Sequence, residues 1–405
     1  MLMKPADERE EALLREALQK AGGPERKGFV DGVCRGDGAL RARLEALLQA
    51  HQSSEPVLDS QASPTAAATV LLPLEEGPGT VIGRYRLREK IGEGGCGVVY
   101  VAEQQQPVRR RVALKVIKLG MDTKQVMARF EAERQALALM DHPNIAKVLD
   151  AGATETDRPY FVMELVRGVR ITDYCDQDHL STEERLKLFV QVCHAVQHAH
   201  QKGVIHRDIK PSNILVMRAD DEPVPKMIDF GIAKAIGEPL TDKTVYTQFE
   251  QFIGTPAYMS PEQAGISGLD IDTRSDIYAL GVLLYELLTG RTPFESKELA
   301  RAGLEEMLRY IREAEALKPS TRLSRLGPEE QTTTAQRRAT EAPKLIRSLR
   351  GDLDWIVMKC LEKDRRRRYE TANGLAQDIE RHLGNEPVVA QPPSTAYRLN
   401  KFVRR

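Results

Sequence analysis

Four short runs in this sequence put glycine, lysine and carboxylates where chemistry on an anionic group could be done. Residues 92–99, GEGGCGVV, fit the spacing GxGxxGxV. Glycines without a Cβ let main-chain N–H groups come close to a polyphosphate, although the run by itself reads equally well as a turn between two strands. Val112-Ala113-Leu114-Lys115 alternates as a strand that points Lys115 inward. An inward ammonium is costly unless it meets an anion, and phosphates or Glu133 would serve; an outward lysine would need neither. His206-Arg207-Asp208-Ile209-Lys210-Pro211-Ser212-Asn213 sits between the apolar runs Val204-Ile205 and Ile214-Leu215-Val216, and Asp229-Phe230-Gly231 begins 16 residues after Asn213. In each half the polar groups cluster where apolar strands end.

The elements that must hold these runs follow from periodicity. From Tyr85, the short β-branched runs YRLREKIG, GVVYVAEQ, RRVALKVIK, AKVLDAGAT and PYFVMELV predict a small antiparallel sheet. An amphipathic helix over 124–140, with Phe130, Leu137 and Met140 on its apolar face, interrupts it and carries Glu133. Because a strand and not a helix follows the glycine run, a Rossmann dinucleotide site is excluded. Beyond Gly168 the pattern turns helical, as in TEERLKLFVQVCHAVQHAHQKG and DIYALGVLLYELLTG, and a short hairpin between 213 and 229 would bring the two acidic loops face to face. The expected fold class is α+β: a small β-rich lobe over 79–163, a connector over 164–168 and a larger helical lobe over 169–384. Ahead of it, leucines at helical spacing (Leu13, Leu14, Leu18, then Leu40, Leu44, Leu47) predict a small helical module over 1–51, joined by a disordered linker over 52–78.

In this order the motifs resemble those of the eukaryotic-type Ser/Thr protein kinases, a family also found in bacteria, and the resemblance runs from Tyr85 to Leu383. It implies the bilobal protein kinase fold and transfer of the γ-phosphoryl group of ATP, with Mg2+ (Mn2+ able to substitute), to serine or threonine hydroxyls of protein substrates. By that resemblance Lys115 holds the α- and β-phosphates and pairs with Glu133, Asp208 orients the substrate hydroxyl, Lys210 neutralises the γ-phosphoryl, and Asn213 and Asp229 hold the metal. Ile91, Gly92, Gly94, Gly97, Val99 and Ala113 would cover the nucleotide, Met163 would back the adenine pocket, and Glu164 and Val166 would bind adenine from the connector. Lys210 within HRDIKPSN and the run GTPAYMSPE over 254–262 match Ser/Thr rather than Tyr kinases, with Thr255 expected to contact Asp208 and Lys210. The family's usual Ala-Pro-Glu is Ser260-Pro261-Glu262 here, and Arg368 is the expected partner of Glu262.

Arg207 ahead of Asp208 implies activation by autophosphorylation in the segment that follows Asp229, at Thr244 or Thr247, although these threonines also read as plain loop residues. Every polar catalytic position is filled, which disfavours the alternative of a pseudokinase scaffold that binds nucleotide or partners without transfer. Equal numbers of basic and acidic residues, 59 each, argue against nucleic acid as a partner. The five cysteines, including Cys96 in the glycine run, show no metal spacing and read as free thiols of a cytoplasmic protein. No run of about 20 apolar residues predicts a membrane span. Protein substrates are the expected partners, with self-association for autophosphorylation left open. Residues 295–350 form an insertion, read as one helix, LEEMLRYIREAEAL, and a disordered polar loop, QTTTAQRRATEA; 385–405 read as an extended basic tail. The helical start, the insertion and a tail ending KFVRR resemble multidomain bacterial kinases, in which a membrane helix or repeats often follow.

Overall fold

Apolar alternation builds the first lobe strand by strand. The computed structural model describes residues 32, 34, 76–94, 97–117, 140–229, 256–265, 271–295 and 303–391. The chain divides into two units, Met1–Leu74 and Glu75–Arg405, and the second holds all the elements described below. The helical module expected over 1–51, the linker up to 75 and the helix over 124–140, apart from Met140, lie outside the described residues.

Strands β1 (Val81–Ile82), β2 (Tyr85–Gly94), β3 (Gly97–Gln104), β4 (Arg110–Ile117), β5 (Val148–Ala153) and β6 (Pro159–Glu164) form a six-stranded antiparallel sheet in the order β1-β2-β3-β4-β6-β5. Val112, Leu114 and Val116 of β4 are fully buried in one apolar cluster with Tyr85, Tyr100 and Tyr160, while Ala113 and Ile117 join the main core on the opposite face. Burial on both faces explains why β4 reads as an unbroken apolar run around a single lysine.

The second lobe is helical. It begins with the short strand β7 (Val169–Arg170) and helix α1 (Ile171–Gln177), followed by α2 (Thr182–Gln201). Ser181 and Glu184 close a reciprocal capping box at the start of α2, which satisfies two orphan N–H groups. β8 (Ile214–Ala219) and β9 (Glu222–Met227) pair as a hairpin on β7, turning at Asp220 and Asp221, both with positive φ; that matches the right-handed twist of the strands. Helix α3 (Thr273–Thr289) runs through the centre: the Asp272 side chain caps its start, Gly290 in the left-handed region ends it, and nearly every residue between is buried. Five further helices, α4 (Leu304–Glu313), α5 (Pro319–Ser324), α6 (Pro328–Gln336), α7 (Ala342–Leu349) and α8 (Asp352–Cys360), lead to α9 (Ala372–Leu383). Among the described residues, no helix is long and apolar enough to cross a membrane.

The polar part of the insertion differs from its expected disorder. QTTTAQ falls within α6, and Arg338 just beyond it is only 1% exposed, donating to the carbonyls of Leu287 (2.8 Å) and Thr334 (3.0 Å). A guanidinium at the carbonyl end of α3 is favoured by the helix dipole, so one buried charge anchors a segment whose composition offers few apolar contacts. The beginning of the expected tail is also tied down: the Asp378 carboxylate accepts the N–H groups of Val389 (2.8 Å) and Ala390 (2.9 Å).

Glu262 meets its expected partner. Arg368, fully buried at its side chain, donates two bonds to Glu262, of 2.7 and 2.9 Å, and Ser275 adds a third at 2.7 Å. Burial alone would raise the Glu262 pKa, but the hydrogen bonds and charge of Arg368, with the Ser275 hydroxyl, hold it below the usual carboxylate value. Stability from this pair is therefore complete above the ordinary glutamate pKa and is lost as pH falls through the lower folded-state value. Arg368→Leu leaves the carboxylate buried without its cation and is expected to lower unfolding free energy by about 3–5 kcal/mol, measured by urea titration at neutral pH. The loss should shrink in acid, where Glu262 is protonated in both proteins.

Candidate active site

Lys115 sits on β4, opposite Val99 of β3 and Phe161 of β6, while Ala113 lies opposite Val101 and Met163. Cross-strand partners share a face, so Val99, Ala113, Lys115 and Met163 line the same inner side of the sheet. Lys115 is 7% exposed and its ammonium is ion-paired with Asp229. A buried ammonium must find an anion, and the partner found is a residue 114 positions further along the chain. The expected partner Glu133 lies outside the described residues, as do Thr255, Phe230, Gly231 and the threonines at 244 and 247.

The loop 206–213 enters the same region from below. Asp208 accepts from Lys210 at 2.8 Å and from the Asn213 amide at 3.1 Å, and that amide also donates to the Asp208 carbonyl at 2.8 Å. A turn at Pro211–Asn213 delivers Asn213 to the start of β8, and its carbonyl accepts the Ile228 N–H at 2.9 Å. That bond sets Asn213 beside the residue preceding Asp229. The β8–β9 hairpin thus brings the two loops at its ends side by side, as expected. Arg207 and Asp229 both hold positive φ, 62° and 59°, conformations that cost energy and persist only where neighbours impose them.

Asp276, which the motifs did not single out, imposes one of them. It is 1% exposed near the start of α3, and its carboxylate accepts the N–H groups of His206 and Arg207, each at 2.8 Å, and faces His200 Nε2 at 2.8 Å. Gln263 closes the other side by donating to the Arg207 carbonyl at 2.9 Å. Burial holds the His206 pKa below the ordinary imidazole value, with Asp276, Asp208 and Asp229 pulling the other way. A neutral ring is consistent with its Nδ1 accepting the Asp208 N–H at 3.4 Å. The signal for Asp276 in the sequence is an acid at the head of a helix that is otherwise apolar, and an acid there also reads as ordinary complement to the helix dipole.

The three glycines of the hairpin among the described residues, Gly92, Gly94 and Gly97, differ. At Gly97 an added Cβ would lie 2.3 Å from the Val116 carbonyl, so the sheet itself requires glycine there. At Gly94 an added Cβ would meet nothing within 4 Å, and at Gly92 only Val99 at 4.0 Å. Two of the three are therefore unexplained by internal packing, which suits a ligand that approaches the backbone. Ile91 lies at the register shift between Lys90 and Gly92 and is 49% exposed. In the connector, Val166 is half-buried. The Glu164 N–H donates to the Lys147 carbonyl at 2.9 Å and its carboxylate pairs with Lys226 at 3.0 Å, so this side chain binds the protein itself.

A six-stranded sheet carrying a glycine hairpin and a buried lysine, followed by a helical lobe that carries the loops of Asp208 and Asp229, is the two-lobed arrangement of a protein kinase fold. Residues 85–379 match the family described as protein kinase domain, and the chain belongs to that family. It is 35% identical over 316 residues to the serine/threonine-protein kinase PknB of Mycobacterium tuberculosis, covering 76% of this chain and 44% of that protein. To Pkn1 of Myxococcus xanthus, a serine/threonine-protein kinase, it is 37% identical over 272 residues, covering 67% of this chain and 36% of that one. The chain thus spans less than half the length of these relatives. The crystal structure of a double mutant of the Mycobacterium tuberculosis PknI kinase domain superposes with a TM-score of 0.54 at 22% identity, covering 76% of this chain and 99% of that one, a likeness of fold.

Proposed function

We propose that this chain is an active serine/threonine protein kinase that transfers the γ-phosphoryl group of ATP to protein substrates. The observation that carries the reading is the ion pair between Lys115 and Asp229, formed next to a loop in which Asp208, Lys210 and Asn213 already bond one another. Asn213 and Asp229 offer the amide and carboxylate oxygens that would hold Mg2+, which fits a hard cation that keeps several waters; Mn2+ would be accepted by the same donors. When bound, the metal would supply charge neutralisation on the phosphate oxygens. Lys115 would orient the α- and β-phosphates, Lys210 would offset charge on the transferred group, and the Asp208 carboxylate would align the attacking hydroxyl and take its proton. Ile91, Val99, Ala113 and Met163 would enclose the base, with Val166 supplying main-chain contacts.

The acceptor class rests on Lys210 and on the named relatives. Incubation with γ-labelled ATP, magnesium and a generic basic protein, followed by acid hydrolysis, is expected to yield labelled phosphoserine and phosphothreonine; label found on tyrosine alone, or none on protein, rejects the reading. Activation through Thr244 or Thr247, between two copies of the chain, belongs to the same proposal, and peptide mapping after incubation with ATP checks it: unmodified threonines at normal turnover would exclude it. The glycines give a further test. Gly94→Ala is expected to leave stability unchanged while raising KM for ATP on the order of tenfold, the equivalent of about 1.4 kcal/mol. Gly97→Ala, whose Cβ meets backbone, should instead lower stability by about 1–3 kcal/mol, read by thermal unfolding without nucleotide.

A further inference from the structure

The carbonyl of Ile117, two residues after Lys115, has an unusual donor. The ladder between β4 and β6 stops at the pair Val116 and Tyr160, and the next residue on β6 is Pro159, which has no N–H to offer. Buried backbone carbonyls need a partner, and here Arg158 provides it: its Nε donates to the Ile117 carbonyl at 3.2 Å. The other end of the same guanidinium is ion-paired with Glu76, and the two side chains are only 11% and 9% exposed.

Glu76 is the second residue of the unit that begins at Glu75. Its carbonyl accepts the hydroxyl of Tyr100, a buried residue of β3. From there the chain runs to the opposite edge of the sheet, where Gly79 donates to the Leu87 carbonyl at 2.8 Å and β1 pairs with β2. The entry segment is therefore a strap across the sheet, buckled by Arg158. The buckle lies at the end of the strand that carries Lys115, on the residue whose register partner is Gly97 of the glycine hairpin. One guanidinium thus links the point where the chain enters the catalytic unit to both phosphate-facing elements.

We propose that Arg158 and Glu76 are positioning residues for nucleotide: the clasp fixes the Ile117 backbone, and through it Lys115 and Gly97, so that the entry strap helps set affinity for ATP. The inference rests on the reading of Lys115 as the phosphate-binding lysine. A purely structural role would cost stability and leave the affinity of the remaining folded protein alone. A positioning role should move KM for ATP while kcat at saturating ATP stays near its original value, because bound phosphates restore the strand end.

The test uses the whole 405-residue chain with Arg158→Lys, Arg158→Met, Glu76→Gln and the double variant Arg158→Met with Glu76→Gln. Arg158→Lys keeps a cation for Glu76 but cannot reach both partners with one planar group, so it guards against variants that fail to fold. Each single variant is expected to raise KM for ATP roughly tenfold with kcat within about twofold. The double variant should be no worse than the weaker single one, since both remove the same link. An unchanged KM in folded Arg158→Lys, or a fall in kcat with KM unmoved, overturns the proposal. A wild-type chain that neither binds nor turns over Mg-ATP would instead reject the kinase reading, a result recognisable before any variant is made.

Discussion

Asp208→Asn is expected to lower kcat by roughly three orders of magnitude while leaving KM for ATP within a few-fold, in line with the loss of a positioned proton acceptor. The substitution keeps shape and size and removes only charge and basicity. In the folded chain one oxygen of Asp208, Oδ2, accepts from both Lys210 and Asn213, so an asparagine whose carbonyl oxygen takes that place keeps both donors while the charge and the basicity are gone. Lys115 and Asp229, the groups proposed to bind nucleotide, are bonded to each other and are untouched by the change, so ATP affinity should hold. Steady-state kinetics with saturating acceptor protein provides the check. A loss of less than tenfold would remove Asp208 from the chemistry.

Asp276→Ala should be nearly as damaging to activity, and through a residue that touches no substrate. Its carboxylate satisfies two consecutive backbone N–H groups of the loop that carries Asp208 and faces His200, all in a site where Asp276 is 1% exposed. Deleting it orphans both N–H groups, at about 1–3 kcal/mol each, and frees Arg207 from its left-handed conformation. Unfolding free energy is expected to fall by about 3–5 kcal/mol, and kcat to fall on the order of a hundredfold in whatever remains folded, because a small misplacement of Asp208 is enough. Asp276→Asn keeps one acceptor oxygen and should recover part of both losses. If Asp276→Ala unfolds at the same urea concentration as the wild type, the carboxylate does not hold the loop.

Much of this was legible in residue order because the chemistry is carried by short contiguous runs. The glycine hairpin, the lysine strand and the two acidic loops each announce their local structure through alternation or through turn residues, and the short span between Asn213 and Asp229 leaves room for little besides a hairpin. Arg368 was found by a charge argument: a buried glutamate needs a cation. The same logic did not reach Asp276, whose partners are main-chain N–H groups that every residue possesses. Nor did it reach the clasp between Glu76 and Arg158, where the cause is an absence, the missing N–H of Pro159, visible only once strand register is known. Order in the polar stretch around α6 is hidden for a related reason. Its polar composition suggested disorder, yet Arg338 is buried against carbonyls at the end of α3, and no local pattern reveals that a distant helix ends there.

Whether Lys115, Asp208, Asn213 and Asp229 act on one bound nucleotide, as proposed, is tested most directly by side-by-side transfer of label from γ-labelled Mg-ATP to protein by the wild-type chain and by Lys115→Met. Methionine preserves the length and packing of the side chain and removes the ammonium that Asp229 now holds. The account predicts steady incorporation by the wild type and, in a variant that remains folded, almost none. Equal incorporation by the two proteins would contradict it.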